Sequence, residues 1–307
     1  MRVSAVALKF RAWGTGCALQ RSSESGRIVV ALANRRQTAV VQTPRMLPLS
    51  ELPRDAARAV RGVLTDIDDT LTTAGVIDAD ALDALARLRA VGIPVIAITG
   101  RPMGWSEPFA RDWPLNAIVA ENGAVALFRE GERLTIEYAQ DAATRARNAL
   151  RLRDAAARVL REVPGATLSR DSAGRATDIA VDHNEFATLS PAQIEQVVVV
   201  MRSAGLHATV SSIHINGWFG EHDKLSGARW MVRRLFARDL EAEHAQWVYV
   251  GDSTNDQQMF GHFPLSVGVA NLLRFERELS VWPAYLTRGE RGAGFAEVAD
   301  ILIAARS

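Results

Sequence analysis

Short apolar strands that alternate with helix-length segments constrain the fold of this chain more than any other feature of its sequence. From residue 60 onward, apolar segments at 62–65, 95–98, 117–120 and 247–250 have the length and composition of buried strands. Strands that alternate with helices form a parallel sheet with helices packed on its faces. The sequence therefore predicts an α/β fold built on a parallel core sheet.

The segments between these strands carry helix signals. Asp78 suits the N-cap of a helix that Gly92 ends, and a second helix is predicted at 225–236, with a last apolar strand near 266–269. Three leucines are predicted to form the apolar face of the first helix: Leu82, Leu85 and Leu88. The parallel pattern therefore resumes in the last third of the chain.

A different pattern occupies the middle of the chain. Helical stretches at 142–163 and 191–204 are each followed by a pair of short strands. The four strands are predicted at 167–170, 178–182, 208–211 and 213–216. Short strands joined by tight turns form an antiparallel sheet that helices cover on one face. We therefore predict an inserted α/β domain, called the cap below, at residues 130–220, between the two parts of the core at 46–129 and 221–307.

Charge is distributed unevenly along the chain. Residues 1–45 contain eight basic residues and one acidic residue, whereas residues 46–307 contain 28 basic and 34 acidic residues. We expect residues 1–45 to be a poorly ordered basic tail, with Met46 as a plausible start, although a mitochondrial transit peptide has a similar composition. The remainder is mildly acidic, so we expect no nucleic-acid partner.

The composition excludes several other classes of protein. Hydrophobic residues make up 48% of the chain and charged residues 23%, which is typical of an ordinary globular protein. No apolar run approaches the roughly 20 residues that a membrane-spanning helix needs. Cys17 is the single cysteine, which excludes an internal disulfide framework and a multi-thiolate metal site. We therefore expect no membrane partner and a reducing compartment, the cytoplasm.

Acidic and hydroxyl side chains follow three of the predicted strands. Asp66 and Asp68 come directly after the first strand, Thr99 follows the second, and Asp252 and Asp256 follow the strand at 247–250. Ligands of an open parallel sheet bind where the carboxyl ends of its strands meet the loops. Carboxylates gathered there repel one another unless a cation lies among them, and oxygen ligands beside a phosphate favour Mg²⁺. The sequence therefore predicts a magnesium site made from these aspartates.

Lys224 stands out in a chain that has 34 arginines and two lysines, the other being Lys9. Arginine and lysine substitute for each other on a solvated surface. A compact ammonium is required where a point charge must contact a phosphate and a carboxylate in a narrow site. We therefore predict that Lys224 binds phosphate.

The order of these residues resembles that of the haloacid dehalogenase-like phosphatases. Asp-Ile-Asp-Asp-Thr at 66–70 is similar to the first motif of that superfamily, Thr99 to the second, Lys224 to the third, and Asp252 with Asp256 to the fourth. The resemblance covers residues 60–307 and implies a Rossmann-like core with an inserted α/β cap.

The segment between Thr99 and Lys224 resembles the cap of subfamily IIB, which includes sugar phosphatases. Asn-Gly-Ala at 122–124 and Val-Gly-Val-Ala-Asn at 267–271 are also similar to that subfamily. One departure is that Leu225 follows Lys224, where many members have glycine. The branch of the family, and with it the substrate, therefore stays open.

The resemblance implies a magnesium-dependent phosphatase that hydrolyses a small phosphate monoester, a sugar phosphate, through an aspartyl-phosphate. Asp66 would be the nucleophile and Asp68 the general acid and base. Thr99 and Lys224 would hold the phosphoryl oxygens. The metal ligands would come from four residues: Asp66, Asp68, Asp252 and Asp256. Asp68 would contribute its main-chain carbonyl. Asp256 would orient Lys224 or a metal-bound water.

Four further residues are candidates for substrate contact: Arg101, Asn122, His214 and Asn216. His214 and Asn216 alternate with isoleucines on a strand that leads directly to Lys224. Two alternatives to hydrolysis stay open. A phosphomutase would pass the same phosphoryl group to another sugar hydroxyl, and a non-catalytic switch would use a phosphorylated aspartate to bias a partner surface. The sequence leaves the oligomeric state open.

Overall fold

Alternating strands and helices fill residues 46–307, which are the residues that the computed structural model describes; the predicted tail lies outside them. The strands in chain order are β1 (Leu47–Pro48), β2 (Gly62–Thr65), β3 (Thr72–Thr73), β4 (Val76–Ile77), β5 (Val95–Ile98), β6 (Ala117–Ala120), β7 (Val125–Glu130), β8 (Arg133–Tyr138), β9 (Thr167–Leu168), β10 (Asp178–Asp182), β11 (His207–Val210), β12 (His214–Trp218), β13 (Trp247–Gly251), β14 (Leu265–Gly268) and β15 (Tyr285–Leu286). The helices are α1 (Arg54–Ala59), α2 (Ala79–Ala90), α3 (Met103–Asp112), α4 (Ala142–Glu162), α5 (Pro191–Ser203), α6 (Lys224–Phe236), α7 (Leu240–Glu243), α8 (Gln257–His262) and α9 (Arg291–Ala304).

The large sheet has the strand order β1-β15-β14-β13-β2-β5-β6-β7-β8. Its pairs from β1 to β6 are parallel, and β7 and β8 are added antiparallel at one edge. The chain moves from β2 outward through β5 and β6, and later returns to the other side of β2 with β13 and β14. The strand order thus reverses at β2, and ligands of open α/β sheets bind at such a point.

Helices cover both faces of this sheet and confirm the predicted α/β class. Successive side chains of a strand point to opposite faces, so Val63 and Leu64 of β2 enter different cores. Val63 packs in the core that includes Leu85 of α2 and Phe295 of α9. Leu64 packs in the core that includes Met231 of α6. The sheet is therefore buried on both sides, and only its strand ends are open to a ligand.

The cap contains an antiparallel sheet of order β11-β12-β10-β9, as the sequence predicted. One face packs Val181 and Ile215 against α4 and α5, and Met201 of α5 belongs to the same apolar cluster. Residues paired directly across neighbouring strands share a face. Thr209 pairs with Asn216 in this sheet, so the second face is polar.

Two details of the sequence prediction were wrong. The predicted boundary between core and cap at residue 130 falls inside the β7–β8 hairpin, and both strands of this hairpin belong to the large sheet. We therefore propose that the cap begins near Asp141, the N-cap of α4. Leu82 is 40% exposed, because α2 buries the stripe Ala81, Ala84, Leu85 and Leu88, whose spacing matches one helix face.

Among residues 46–307, no helix combines the length and the apolar character that crossing a membrane requires.

Candidate active site

The predicted motif residues meet where the carboxyl ends of three neighbouring strands open onto loops. Asp66 follows β2, Thr99 follows β5 and Asp252 follows β13, and β2 pairs with both other strands. Lys224 is the first residue of α6. All four side chains are buried. The parallel topology therefore brings together residues that are up to 186 positions apart in the sequence.

Lys224 bridges two of the aspartates. Its Nζ donates to Oδ1 of Asp66 at 2.8 Å and to Oδ1 of Asp256 at 2.7 Å. Burial alone would lower the pKa of Lys224, but the charges of Asp256 and Asp66 outweigh burial and raise this pKa above its usual value. The ammonium therefore stays charged. An ammonium has three donors, so one remains for a phosphoryl oxygen.

Both carboxylate oxygens of Asp256 accept hydrogen bonds. Its Oδ1 accepts from Lys224 and from the hydroxyl of Tyr249, and its Oδ2 accepts from the backbone N–H groups of Asp252 at 3.0 Å and Ser253 at 3.1 Å. With both oxygens engaged, Asp256 is suited to fix Lys224 and the loop after β13. Tyr249 was not predicted from the sequence, although a tyrosine in an otherwise apolar buried strand is a usable signal, since buried hydroxyls need partners.

The carboxylates around Lys224 fit a divalent cation. Asp66, Asp252 and Asp256 each offer one oxygen, and these oxygens lie within 4.8 Å of one another. Burial raises the pKa of Asp66 to about 7, although Lys224 opposes the shift. Burial and the charge of Asp66 raise the pKa of Asp252 well above its usual value. One ammonium therefore does not neutralise three buried carboxylates, and the hard oxygen donors suit Mg²⁺.

Asp68, the predicted acid and base, is bound by Arg101. Nε of Arg101 lies 3.0 Å from Oδ1 and 3.1 Å from Oδ2 of Asp68. The same guanidinium donates to two carboxylates of the cap, Glu185 at 2.8 Å and Asp171 at 3.3 Å. Arg101 is only 4% exposed. It therefore joins the loop after β2 to the cap, a link that was not predicted from the sequence.

His214 reaches this ion-pair network from the cap sheet. Its Nε2 lies 2.8 Å from Oε2 of Glu185. Although burial opposes the shift, the hydrogen bonds from His214 and Arg101 lower the pKa of Glu185 to about 2. Asp182, Glu185 and His214 could also hold a metal by their spacing. The Asp182 carboxylate, however, accepts the N–H groups of Glu185 and Phe186, and Arg101 already supplies positive charge there.

Asn216 and Arg175 attach the cap to the loop after β5. The Asn216 amide donates to the carbonyl of Gly100 at 3.1 Å and to Oδ2 of Asp178 at 3.1 Å. Arg175 donates to the same carbonyl at 3.0 Å. These contacts use both donor hydrogens of the Asn216 amide. The structure therefore places Asn216 at the core–cap junction.

Glu121, which the sequence analysis did not select, holds the same junction. Its carboxylate accepts the backbone N–H groups of Met103 at 3.0 Å, Ala176 at 2.9 Å and Thr177 at 2.6 Å. Burial raises the pKa of Glu121 to about 7, and these hydrogen bonds oppose the shift. The next residue, Asn122, is 2% exposed and has φ of 54°, and its Nδ2 has no hydrogen-bond partner among the described residues.

Thr99 is positioned by the backbone that follows it. Its Oγ1 accepts the N–H of Arg101 at 3.0 Å, and its own N–H donates to the carbonyl of Val119 at 2.8 Å. Since the hydroxyl accepts from the backbone, its hydrogen is left to donate. Thr99 therefore has the character of a phosphoryl-oxygen donor.

A second network supports Asp252 from the opposite side. Nδ2 of Asn271 lies 3.3 Å from Oδ2 of Asp252 and donates to the carbonyl of Asp69 at 2.9 Å. Arg291 donates its N–H to Asn271 and its Nε to Asp69, each at 2.9 Å. Asp69 and Arg291 have φ of 54° and 51°, a strained backbone conformation that accumulates at functional sites. Asn271 belongs to the segment 267–271, which the sequence had already singled out. Its contacts with Asp252 and Asp69 are visible only in the structure.

Comparison with known proteins finds one family model that is similar to part of the chain. Residues 63–157 match the family model of the haloacid dehalogenase-like hydrolases. This match supports the resemblance predicted from the sequence over that part of the chain. A search of the curated proteins finds no match.

Several solved structures have the same fold at low sequence identity. A Thermoplasma acidophilum protein is 15% identical, with a TM-score of 0.60, over 79% of this chain and 98% of its own. The sucrose-phosphatase of Synechocystis sp. is 17% identical, with a TM-score of 0.57, over 79% and 98%. The C-terminal domain of the trehalose-6-phosphate phosphatase of C. albicans is 14% identical, with a TM-score of 0.58, over 85% and 99%. These likenesses confirm the fold of a Rossmann-like core with a cap.

Proposed function

We propose that this chain is a magnesium-dependent phosphatase that hydrolyses a small phosphate monoester, a sugar phosphate, through an aspartyl-phosphate on Asp66. The observation that carries the proposal is the position of Asp66. It lies at the strand-order reversal, with Lys224 on one carboxylate oxygen and the Asp252 carboxylate close by. No hydrogen bond from the described residues reaches Oδ2, the second oxygen of Asp66.

The reaction divides into two transfers. Asp66 attacks phosphorus, so that a bond forms between its carboxylate oxygen and phosphorus while the bond from phosphorus to the leaving oxygen breaks. Asp68 donates a proton to that leaving oxygen. Water then attacks the aspartyl-phosphate, Asp68 accepts its proton, and inorganic phosphate leaves. Thr99 and the third donor of Lys224 hold the phosphoryl oxygens.

Asp66, Asp252 and the main-chain carbonyl of Asp68 are the groups proposed to hold Mg²⁺. When bound, this ion neutralises charge on the phosphoryl group. Asp256 acts through Lys224, since both of its oxygens accept other hydrogen bonds. Lys224 does not neutralise all of the buried carboxylates, and the negative charge that is left supports a cation at this site.

Arg101 limits the availability of the Asp68 carboxylate for proton transfer. Because its guanidinium contacts both oxygens of Asp68, at least one oxygen must leave Arg101 before Asp68 can protonate a leaving group. Glu185 and Asp171 attract the guanidinium from the cap side. The acid–base step is therefore linked to the position of the cap.

The substrate class is supported by the fold and by the polar character of the cap face. Of the structures with this fold, the Synechocystis sucrose-phosphatase was solved in complex with sucrose and phosphate. A lid of this kind excludes water and adds substrate contacts when it closes. We therefore assign the chemistry to the core and the choice of leaving group to the cap.

Phosphate release from a panel of sugar phosphates, with and without Mg²⁺, tests the proposal. Asp66→Asn is expected to reduce turnover below a few per cent while the melting temperature is retained, because the nucleophile is lost and the side chain keeps its shape. Asp80→Asn, the same change at an exposed position, is the control. Chelation by EDTA is expected to abolish activity and Mg²⁺ to restore it.

Three outcomes would contradict this function. Substantial turnover by Asp66→Asn would exclude the aspartyl-phosphate, and full activity after exhaustive chelation would exclude the metal. Transfer of the phosphoryl group to a second sugar hydroxyl without release of inorganic phosphate would identify a phosphomutase instead.

A further inference from the structure

The loop after β5, which carries Thr99, is held by the segment that follows β6. The backbone N–H of Glu121 donates to the carbonyl of Arg101 at 3.0 Å, and the N–H of Asn122 donates to the carbonyl of Thr99 at 2.9 Å. Glu121 and Asn122 have φ of 50° and 54°, a left-handed conformation that costs free energy in residues other than glycine. Strain of this kind persists only where surrounding contacts hold the residues in place, and the Glu121 side chain supplies such contacts.

The Glu121 carboxylate holds the helix into which the loop leads. Its Oε1 accepts the N–H of Met103, the first residue of α3, at 3.0 Å. The first N–H groups of a helix have no partner within the helix, and the preceding residue, Pro102, makes no side-chain hydrogen bond to them. A carboxylate at this end of a helix is also stabilised by the helix dipole. Glu121 therefore fixes residues 99–102, called the β5–α3 loop below, through both its backbone and its side chain.

The same carboxylate binds the cap. Oε1 accepts the N–H of Ala176 at 2.9 Å, and Oε2 accepts the N–H and the hydroxyl of Thr177 at 2.6 and 2.5 Å. Ala176 and Thr177 belong to the connection between β9 and β10, residues 169–177, called the docking turn below. Glu121 is 0% exposed, so water does not replace these hydrogen bonds while the cap is in place. One side chain therefore binds the β5–α3 loop and the cap together.

The docking turn also contacts the β5–α3 loop and α3 directly. Arg175 donates to the carbonyl of Gly100 at 3.0 Å. Gly174 lies against Gly104 in the first turn of α3, where a Cβ on Gly104 would be only 3.0 Å from the Cα of Gly174. This approach of two backbones leaves no room for a side chain. The docking turn and the loop therefore pack as one unit around Glu121.

Glu121 lies apart from the proposed reacting groups. Among the described residues, its carboxylate accepts hydrogen bonds only from Met103 and the docking turn. Asp66 and Asp68 are bound instead by Lys224 and Arg101. Any effect of Glu121 on the chemistry must therefore pass through the loop that carries Thr99.

We propose that Glu121 is a positioning residue for Thr99, and that it holds the β5–α3 loop in its phosphate-binding geometry only while the docking turn is bound to its carboxylate. The inference rests on the proposed phosphatase function, which supplies the phosphate that Thr99 holds. Coupling between two binding events is reciprocal. A phosphate at Thr99 therefore stabilises the docking turn, and the bound turn raises the affinity for phosphate by the same factor.

Hydrogen–deuterium exchange of the full-length protein, measured by mass spectrometry on the docking turn, tests the contact itself. Glu121→Gln keeps the size of the side chain and replaces one acceptor oxygen with an NH₂ group. Exchange of the docking turn is expected to become about tenfold faster, the effect of losing one hydrogen bond. Glu107→Gln is the matched control on α3, since Glu107 is 39% exposed and pairs with Arg111 of the same helix; its exchange is expected to match the wild type.

Inorganic phosphate, added with Mg²⁺, tests the coupling. In the wild type it is expected to slow exchange of the docking turn, and in Glu121→Gln it is expected to have no such effect. KM for sugar and aryl phosphates is expected to rise about tenfold in this variant, the same single hydrogen bond, with a smaller change in kcat. A purely structural role would lower the melting temperature and leave the effect of phosphate on the turn intact.

Gly104→Ala is a second variant, which displaces the docking turn and leaves the Glu121 carboxylate unchanged. It is expected to weaken the effect of phosphate on exchange, and it tests the coupling even if Glu121→Gln fails to fold. The proposal is overturned if phosphate slows exchange equally in the wild type and both variants, or if phosphate that inhibits the wild type leaves its docking turn unchanged. Absence of phosphate release from every ester by the wild type would instead refute the proposed phosphatase function.

Discussion

His222 makes the stability of this protein depend on pH in a way that can be measured. Its imidazole is 8% exposed and stacks on Trp218, and neither ring nitrogen has a hydrogen-bond partner among the described residues. Burial lowers the pKa of His222 to about 4, although the charge of Asp223 opposes the shift. The side chain is therefore neutral in the folded protein at any pH above about 5.

The sign of the effect follows from proton binding. As the pH falls through 6.5, the unfolded chain protonates this histidine, whereas the folded protein does so only near pH 4. The unfolded state binds more protons in this window, so stability falls as the pH falls from 6.5 to 4. The separation between a pKa of 6.5 in the unfolded chain and about 4 in the folded protein corresponds to about 3 kcal/mol in full, of which about 2 kcal/mol is already lost at pH 5.

His222→Phe removes the titrating group and keeps a ring beside Trp218. Urea denaturation at pH 5.0 and pH 7.5, at one ionic strength and with EDTA present throughout, gives the free energy of unfolding of both proteins. The wild type is expected to lose about 2 kcal/mol more than the variant between these pH values. His222→Gln is expected to behave like His222→Phe and controls for ring size. Equal losses in all three proteins would refute the reasoning.

Two further predictions concern buried contacts around the proposed catalytic residues. Glu185→Gln weakens the ion pair between the cap and Arg101, so the guanidinium stays on Asp68. We therefore expect kcat to fall about tenfold for sugar and aryl phosphates alike, with little change in KM. An unchanged kcat in steady-state assays would contradict this prediction. Tyr249→Phe removes one donor from Asp256 and is expected to lower the free energy of unfolding by about 1–2 kcal/mol; an unaltered urea midpoint would show that Asp256 does not need this hydroxyl.

Local sequence determined much of the core. The predicted bounds of β2, β5 and β6 agree with the structure residue for residue. Buried strands of a parallel sheet are continuous apolar runs, so their ends are visible in the sequence. The acidic and hydroxyl residues that follow these runs were brought together as expected, because parallel strands place their carboxyl ends at one edge.

The tertiary structure alone decided which residues hold the site together. Arg101 contacts Glu185 across 84 positions of sequence, and Asn271 contacts Asp69 across 202. Neither pairing has a local signal, since nothing within either segment specifies which distant residue it contacts in the folded chain. The β7–β8 hairpin and the exposure of Leu82 escaped prediction for a related reason. Strand pairing and burial depend on what packs against a segment, and local periodicity records only that the segment has an apolar face.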